Sequence, residues 1–355
     1  MLGDKISYFW QLGNRGLVME NLQRLQLLEN WVKTQFPGKS FTLSSASADA
    51  SFRRYFRATF SDETWIVMDA PPQQESCTSF LHTAKVFATA AVHVPEVLAQ
   101  NLAHGFLLLS DLGSTTYLQA LNDDPGRADQ LYCDAVDALI KIQLASHPGM
   151  LPDYDAALLL REVNLFPDWY VAKHLQLVLN ADQKMELDAV FTRILQNNLA
   201  QPCVFVHRDY HSRNLMVTLP NPGILDFQDA VYGPITYDLV SLFKDAYICW
   251  DEERVLDWLI RYWEKAKKAG LPVAGDFSDF YRDFEWMGVQ RHIKVLGIFA
   301  RLAHRDGKID YLRDMPLVMS YLCKACKRYR EFNPLLLLLD TLADEKPDTE
   351  IGYSF

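Results

Sequence analysis

From Pro202 to Ala230 the chain reads PCVFVHRDYHSRNLMVTLPNPGILDFQDA, the one stretch of β character inside a long run of helical sequence. Apolar residues recur at helical spacing over 127–145, 164–179, 182–199, 251–269, 279–303 and 315–331. Before Gly113 the pattern is different. FTLSS, FRRYFRATF and TWIVMDA are short strand-like segments parted by turn residues. QQESCTSFLHTAKVFATAAV reads as one helix, and EVLAQN and FLLLSDL follow as two more strands. Residues 40–112 therefore read β-β-β-α-β-β. A helix precedes them, with Leu22, Leu25, Leu28, Trp31, Val32 and Phe36 in period, and Pro37-Gly38 ends it. The expected organisation is α+β and bilobed. Residues 1–18 form an irregular extension before Met19, itself an alternative start, 19–112 a small sheet-plus-helix lobe, and 113–355 a mainly helical lobe.

Composition narrows the function classes. The chain has 355 residues, 49% hydrophobic and 23% charged, which suits a globular protein of two parts. The formal net charge is −10 and no long basic run occurs, which argues against nucleic acid as a partner. No apolar stretch reaches the ~18–20 residues of a membrane span, and the N-terminus lacks a cleavage-signal pattern. The expectation is a cytoplasmic protein without a membrane partner. Cys323 and Cys326 form a single CxxC with no second pair and no HxxxH nearby, so the pattern points to two cysteines on one helix rather than zinc.

The β interruption carries the chemistry. His207, Arg208 and Asp209 are followed by Asn214, the H-R-D-x-x-x-x-N spacing of a kinase catalytic loop, and Asp226 stands twelve residues further on, after an apolar strand. Phosphoryl transfer needs a carboxylate to orient the attacking hydroxyl and take its proton. It also needs hard oxygen ligands to hold Mg²⁺ on the nucleotide phosphates. Asp209 suits the first role, Asn214 and Asp226 the second. The chain contains its own control: His304-Arg305-Asp306 repeats the tripeptide, but Tyr311 stands where the Asn should be. A sheet-plus-helix lobe followed by a helical lobe with one hairpin region is also the layout of protein-kinase-like folds, an analogy at the level of fold.

These residues resemble the aminoglycoside phosphotransferase/choline kinase superfamily, in which the metal-binding Asp is followed by residues other than Phe-Gly; here the string is Asp226-Phe227-Gln228. Several longer strings look like the bacterial anomeric sugar kinases of cell-wall recycling: ASFRRYFR (50–57), VMDAPP (67–72), LLLSDLG (107–113), REVNLFPDWY (161–170), ILDFQDAVYGPITYDLVSL (224–242) and GIFARLAHRDGKIDYLRDMP (297–316). The resemblance implies ATP as donor, Mg²⁺ on Asn214 and Asp226, and Asp209 as base. It implies an acceptor phosphorylated at C1, N-acetylmuramate or N-acetylglucosamine, in peptidoglycan recycling. It also implies a hinge at Ser110, Asp111 and Leu112 whose backbone binds the adenine edge. His207 and Arg208 brace the loop, and Asp238 anchors it by accepting hydrogen bonds.

Two departures from the pattern matter. The phosphate loop of kinases is Gly-rich so that backbone N–H groups can approach phosphate, yet the corresponding SSASADAS has no glycine. The strand that usually carries a phosphate-gripping lysine has Met68 and Asp69 instead. Another cation must then serve. In FRRYFR, strand alternation puts Arg53, Tyr55 and Arg57 on one face and Phe52, Arg54 and Phe56 on the other. Arg53 and Arg57 are the expected nucleotide-facing pair.

The acceptor is expected beside Asp209, within reach of His211, Arg213, Gln228 and Asp229. Glu162 is a further candidate, and Phe166 and Trp169 offer rings that either stack on a pyranose or pack between helices. Arg301 and Arg305 are weaker candidates for an acidic substituent. Two rival readings stand beside the sugar kinase, which is expected to be a monomer. One keeps the fold and changes the acceptor to an aminoglycoside, choline or homoserine. The other is a pseudokinase that binds nucleotide without turnover.

Overall fold

The computed structural model describes residues 22–47 and 53–345. The extension at 1–18, Met19, Phe52 and the later part of SSASADAS lie outside them. The chain divides into two compact units, Met1–Leu81 with Pro95–Leu112, and His82–Val94 with Gly113–Phe355.

In the first unit, helix α1 (22–35) precedes strands β1 (Thr42–Ser47), β2 (Arg54–Thr59), β3 (Thr64–Asp69), β4 (Val97–Asn101) and β5 (Phe106–Ser110). They form one antiparallel sheet in the order β1-β2-β3-β5-β4. Pleating sends alternate residues to opposite faces, so Phe56 and Ala58, Trp65 and Val67, and Phe106 and Leu108 share a side. Leu28, Val32 and Trp31 of α1 pack against that side. Arg54 lies on the same face, directly opposite Asp69 across the β2–β3 pair. Gly105, before β5, has φ +72°, and a Cβ there would stand 1.8 Å from the Ala70 carbonyl oxygen. Only glycine allows that turn to close.

The second unit takes the later part of α2 (Thr78–Thr89), then α3 (Tyr117–Asp123), α4 (Ala128–Leu144), α5 (Ala156–Val163) and α6 (Ala181–Ala200). Strands β6 (Cys203–Val206), β7 (Leu215–Met216), β8 (Gly223–Ile224) and β9 (Val231–Pro234) interrupt the helices, pairing as β6–β9 and β7–β8. Then come α7 (Tyr237–Phe243), α8 (Glu252–Ala269), α9 (Phe277–Asp306), α10 (Met315–Arg328) and α11 (Asn333–Asp344). Capping boxes set the starts of α3, at Thr116 with Gln119, and of α6, at Asn180 with Gln183.

Three local outcomes differ from the sequence pattern. Residues 82–94, read with the small lobe, belong to the second unit. Phe87 packs on Phe227 and His207, and the His93 carbonyl accepts the Ile224 N–H at 2.8 Å. The stretch read as helix over 164–179 is instead a π-helix, Phe166–His174, following the end of α5; Pro167 has no N–H to continue an α-helical ladder. Finally, α9 is buried on nearly every side, although Glu285, Gln290, Arg291, His292 and Lys294 all lie on it. Buried charges on such a helix demand partners.

Candidate active site

The β7–β8 pair explains how a loop residue and a strand-end residue meet. Leu215 is opposite Ile224 and Met216 opposite Gly223. Asn214, just before β7, therefore faces the residues just after β8. The Leu225 N–H donates to the Asn214 carbonyl at 2.9 Å. The Asn214 side-chain amide donates to the Asp209 carbonyl at 3.0 Å and to Asp226 Oδ2 at 3.3 Å. One asparagine, itself a proposed metal ligand, thus ties the proposed base to the other ligand, Asp226. Its nitrogen is committed to these bonds, which leaves Oδ1 as its acceptor atom. Gln228 donates to the other Asp226 oxygen at 2.7 Å. Arg208 and Asp226 both adopt positive φ, +76° and +62°. Non-glycine residues in this region are strained, and such strain concentrates where side chains must be aimed.

The loop is held from three sides. Asp238, at the start of α7, accepts the N–H groups of His207 and Arg208 at 2.7 and 3.0 Å. Burial pushes its carboxyl up to about 7, although the two N–H donors favour the anion. His207 is fully buried, its Nε2 2.9 Å from the Leu225 carbonyl and its Nδ1 accepting the Asp209 N–H at 3.3 Å. Those bonds define the tautomer with the proton on Nε2. Burial lowers its pKa to about 4, so the ring is neutral at pH 7. Asp245 accepts both the N–H and the hydroxyl of Ser212, at 3.0 and 2.5 Å. The Ser241 hydroxyl donates to the Arg208 carbonyl at 3.3 Å and accepts from Arg291 Nε at 2.7 Å.

Burial alone would raise the Asp209 pKa. Lys294, His211, Arg208 and Arg291 outweigh it and hold the carboxyl at about 2. Asp209 is ionised under all ordinary conditions. It can accept a hydrogen bond from a hydroxyl, and so weak a base can take a proton only from a hydroxyl that has become strongly acidic.

Glu162 and Phe166 require correction as substrate contacts. Glu162 is buried, and its carboxylate receives Arg208, Tyr154, Lys294 Nζ at 3.0 Å and Gln290 Nε2 at 3.3 Å. With its acceptor sites filled, it neutralises buried Lys294 and half-buried Arg208 instead of meeting a sugar. Phe166 has no exposed surface and stacks on Tyr170 at 5.1 Å between ring centroids. The other acceptor candidates lie on or near the loop. His211 is buried, with Nδ1 lacking a hydrogen-bond partner among the described residues. Gln228 is buried and Asp229 exposed, while Arg213 and Trp169 are only partly covered. Arg305 is taken by its neighbour Asp306 at 2.7 and 2.9 Å.

In the first unit, all three clustered arginines stand in ion pairs. Arg53 is buried against Glu75. Arg54 reaches Asp69 at 2.5 Å, where Arg24 also arrives. Arg57 grips Asp111 through two bonds of 2.6 and 3.0 Å. Ser110 donates its N–H to the Glu96 carbonyl at 3.0 Å and accepts the Glu96 N–H at 2.9 Å, and Leu112 is buried.

The sequence pattern left out Lys294, Arg291 and Asp245. The signal for the first two is their place in EWMGVQRHIKVLG, where charged residues interrupt a helix whose apolar spacing gives them no outward face.

The model of the phosphotransferase enzyme family matches residues 42–275. An N-acetylmuramate/N-acetylglucosamine kinase from Neisseria meningitidis serogroup B is 50% identical over 338 residues, covering 94% of this chain and 100% of its own. A Pseudomonas aeruginosa protein of the same name is 53% identical over 300 residues, with 84% and 88% covered. Among solved structures, an ADP-bound aminoglycoside phosphotransferase has the same fold, with a TM-score of 0.56, 14% identity, and 84% of this chain and 98% of that one covered.

Proposed function

The chain belongs to the phosphotransferase enzyme family, and from that membership we propose that it is an ATP-dependent kinase of N-acetylmuramate and N-acetylglucosamine, acting on their anomeric hydroxyl in peptidoglycan recycling. The observation that carries the reading is the convergence of Asp209, Asn214 and Asp226 through the Asn214 amide. The sugar class is supported by relatives half-identical to this chain across almost its whole length.

In this mechanism Asp209 orients the anomeric hydroxyl by accepting its hydrogen bond. The hydroxyl oxygen forms the new bond to the γ-phosphorus, the bond to the β–γ bridging oxygen breaks, and ADP leaves while the proton passes to Asp209. An anomeric hydroxyl is more acidic than an ordinary alcohol, so a weakly basic carboxylate is enough. The oxygen donors of Asn214 and Asp226 suit Mg²⁺, which when bound neutralises charge on the phosphates. In the first unit, Arg53 and Arg57 supply the positive charge that the missing strand lysine would give. Kinases pair that lysine with a glutamate, and buried Arg53 on half-buried Glu75 is a comparable ion pair. The Ser110 N–H is committed to Glu96, which shifts the adenine-binding role towards Asp111 and Leu112. On the acceptor side His211, Arg213, Gln228, Asp229 and Trp169 surround the sugar. A cytoplasmic monomer completes the reading; no helix among the described residues is long and apolar enough to cross a membrane.

The test is ADP release from Mg-ATP with N-acetylmuramate, N-acetylglucosamine, its derivative methylated on the anomeric oxygen, choline and kanamycin. Turnover is expected with the two free amino sugars, lost on methylation, and lowered about 10²–10⁴-fold in Asp209→Asn. Turnover surviving methylation would move the reaction to another hydroxyl. Turnover confined to choline or kanamycin would overturn the sugar assignment.

A further inference from the structure

Most cations around the catalytic loop are tightly engaged. Arg208 and Lys294 share Glu162, Lys244 pairs with Glu285, and Arg291 is buried on Ser241. Arg213 differs. Its side chain keeps 42% of its surface exposed, and its nearest carboxylate oxygen, Asp314 Oδ2, is 3.7 Å away. That is an ion pair without a hydrogen bond. Its guanidinium lies over the Tyr247 ring at 3.5 Å and 5.9 Å from the centre of Tyr311. An arginine held on an aromatic face keeps its N–H edge for a planar, two-pronged partner. The Tyr247 ring in turn stands at 77° to that of His211, two residues beyond Asp209, with 5.4 Å between centroids. Asp209, His211, Tyr247 and Arg213 thus form a continuous run from the reacting carboxylate to a preorganised cation.

The two sugars named for the relatives differ in one group. N-acetylmuramate bears a lactyl ether ending in a carboxylate, where N-acetylglucosamine bears a hydroxyl. An enzyme that takes both needs an anion reader that a neutral sugar can leave unused. A fully buried arginine fails this requirement, because stranding it is costly. A half-exposed one with a loose counter-ion meets it. Resting on the proposed function, we propose that Arg213 reads the lactyl carboxylate of N-acetylmuramate and exchanges Asp314 for it. When the neutral sugar binds, Asp314 stays as the counter-ion. Burial raises the Asp314 carboxyl despite Arg213, in keeping with a weak grip.

The experiment compares kcat/KM for N-acetylmuramate with that for its methyl ester, which neutralises only the lactyl group. Any general damage to the loop affects both and cancels in the ratio. The wild-type protein should prefer the acid, and Arg213→Ala should lower the acid-to-ester ratio at least about fivefold, with Arg213→Lys in between. Asp314→Asn should raise the ratio, and added salt should lower it in the wild type. An unchanged ratio in folded Arg213→Ala overturns the proposal. If that variant does not fold, a ratio indifferent to both Asp314→Asn and salt overturns it. Turnover of N-acetylglucosamine and both forms of N-acetylmuramate, with an Arg213-independent ratio, removes this proposal alone. No turnover of any of them removes the proposed function as well.

Discussion

Glu162 shows how a single side chain can matter more to the catalytic loop than a residue that touches substrate. It is buried, and it holds Arg208 of the loop and Lys294 of α9 at once, with Tyr154 and Gln290 completing its coordination. Burial disfavours its charge, but Lys294 and Arg208 outweigh that and lower its pKa. Removing the charge while keeping the shape, in Glu162→Gln, takes from Lys294 and Arg208 the carboxylate they both contact and leaves Asp209 as the nearby anion. Breaking such a network by one partner costs about 3–5 kcal/mol. The expected outcome is a drop of that size in unfolding free energy by urea titration, partly recovered in Glu162→Gln/Lys294→Met, where one stranded cation is gone. A loss below about 1 kcal/mol would place the carboxylate outside the load path of the loop. Arg208 then connects this stability to activity, because its positive φ and its N–H bond to Asp238 fix the residue before Asp209.

Among the elements, α9 has the tightest demands on its surface. At Gly297 it comes so close to the chain entering the π-helix that an added Cβ would stand 2.4 Å from the Leu165 carbonyl carbon and 2.5 Å from its oxygen. Those are backbone atoms and cannot swing aside. Gly297→Ala should therefore push α9 and the π-helix apart, although alanine is the better helix former by about 1 kcal/mol. A net destabilisation of about 1–3 kcal/mol is expected from overpacking, read as a lower urea midpoint; a stabilised variant would show that the contact yields easily. The same helix marks the limit of what was legible from residues alone. Apolar period located α9, and spacing picked out Asp209, Asn214 and Asp226, which the fold brings together; both signals are local. The partners of Gln290, Arg291 and Lys294 come from α5 and α7, tens to more than a hundred residues away in the chain. Periodicity carries no information on such pairings. Glu162 and Phe166 of REVNLFPDWY misled for a related reason: a carboxylate and an aromatic ring suit a sugar pocket and a buried network equally, and only packing against residues distant in the chain decides between them.

At the scale of the whole molecule, the second unit buries a set of neutral histidines whose cost appears as acid sensitivity. Burial lowers the pKa of His207 to about 4, lowers that of His211, and takes His292 well below the ordinary value. An unfolded histidine titrates near 6.5. Between that value and the folded pKa the unfolded chain binds protons that the native state refuses, so stability falls as pH falls. Asp238 acts in the opposite sense. Its folded pKa of about 7 lies above the unfolded carboxylate value, so it favours the native state towards acid and loses that contribution as pH rises through 7. Asp209 and Glu162, both lowered, add acid sensitivity only below about pH 4. His207 and His292 together outweigh Asp238; His211 adds to them, and Asp283 and Asp314, also raised by burial, add to Asp238. The balance is a net uptake on unfolding of about one proton near pH 5.5, or about 1 kcal/mol of stability lost per pH unit. Urea titrations at pH 7.5, 6.5 and 5.5 measure this slope directly. His292→Gln, which removes the ring stacked on Tyr321, should flatten the slope by about one proton while lowering the plateau at pH 7.5. A slope that His292→Gln leaves unchanged would mean that this imidazole is already charged in the native state.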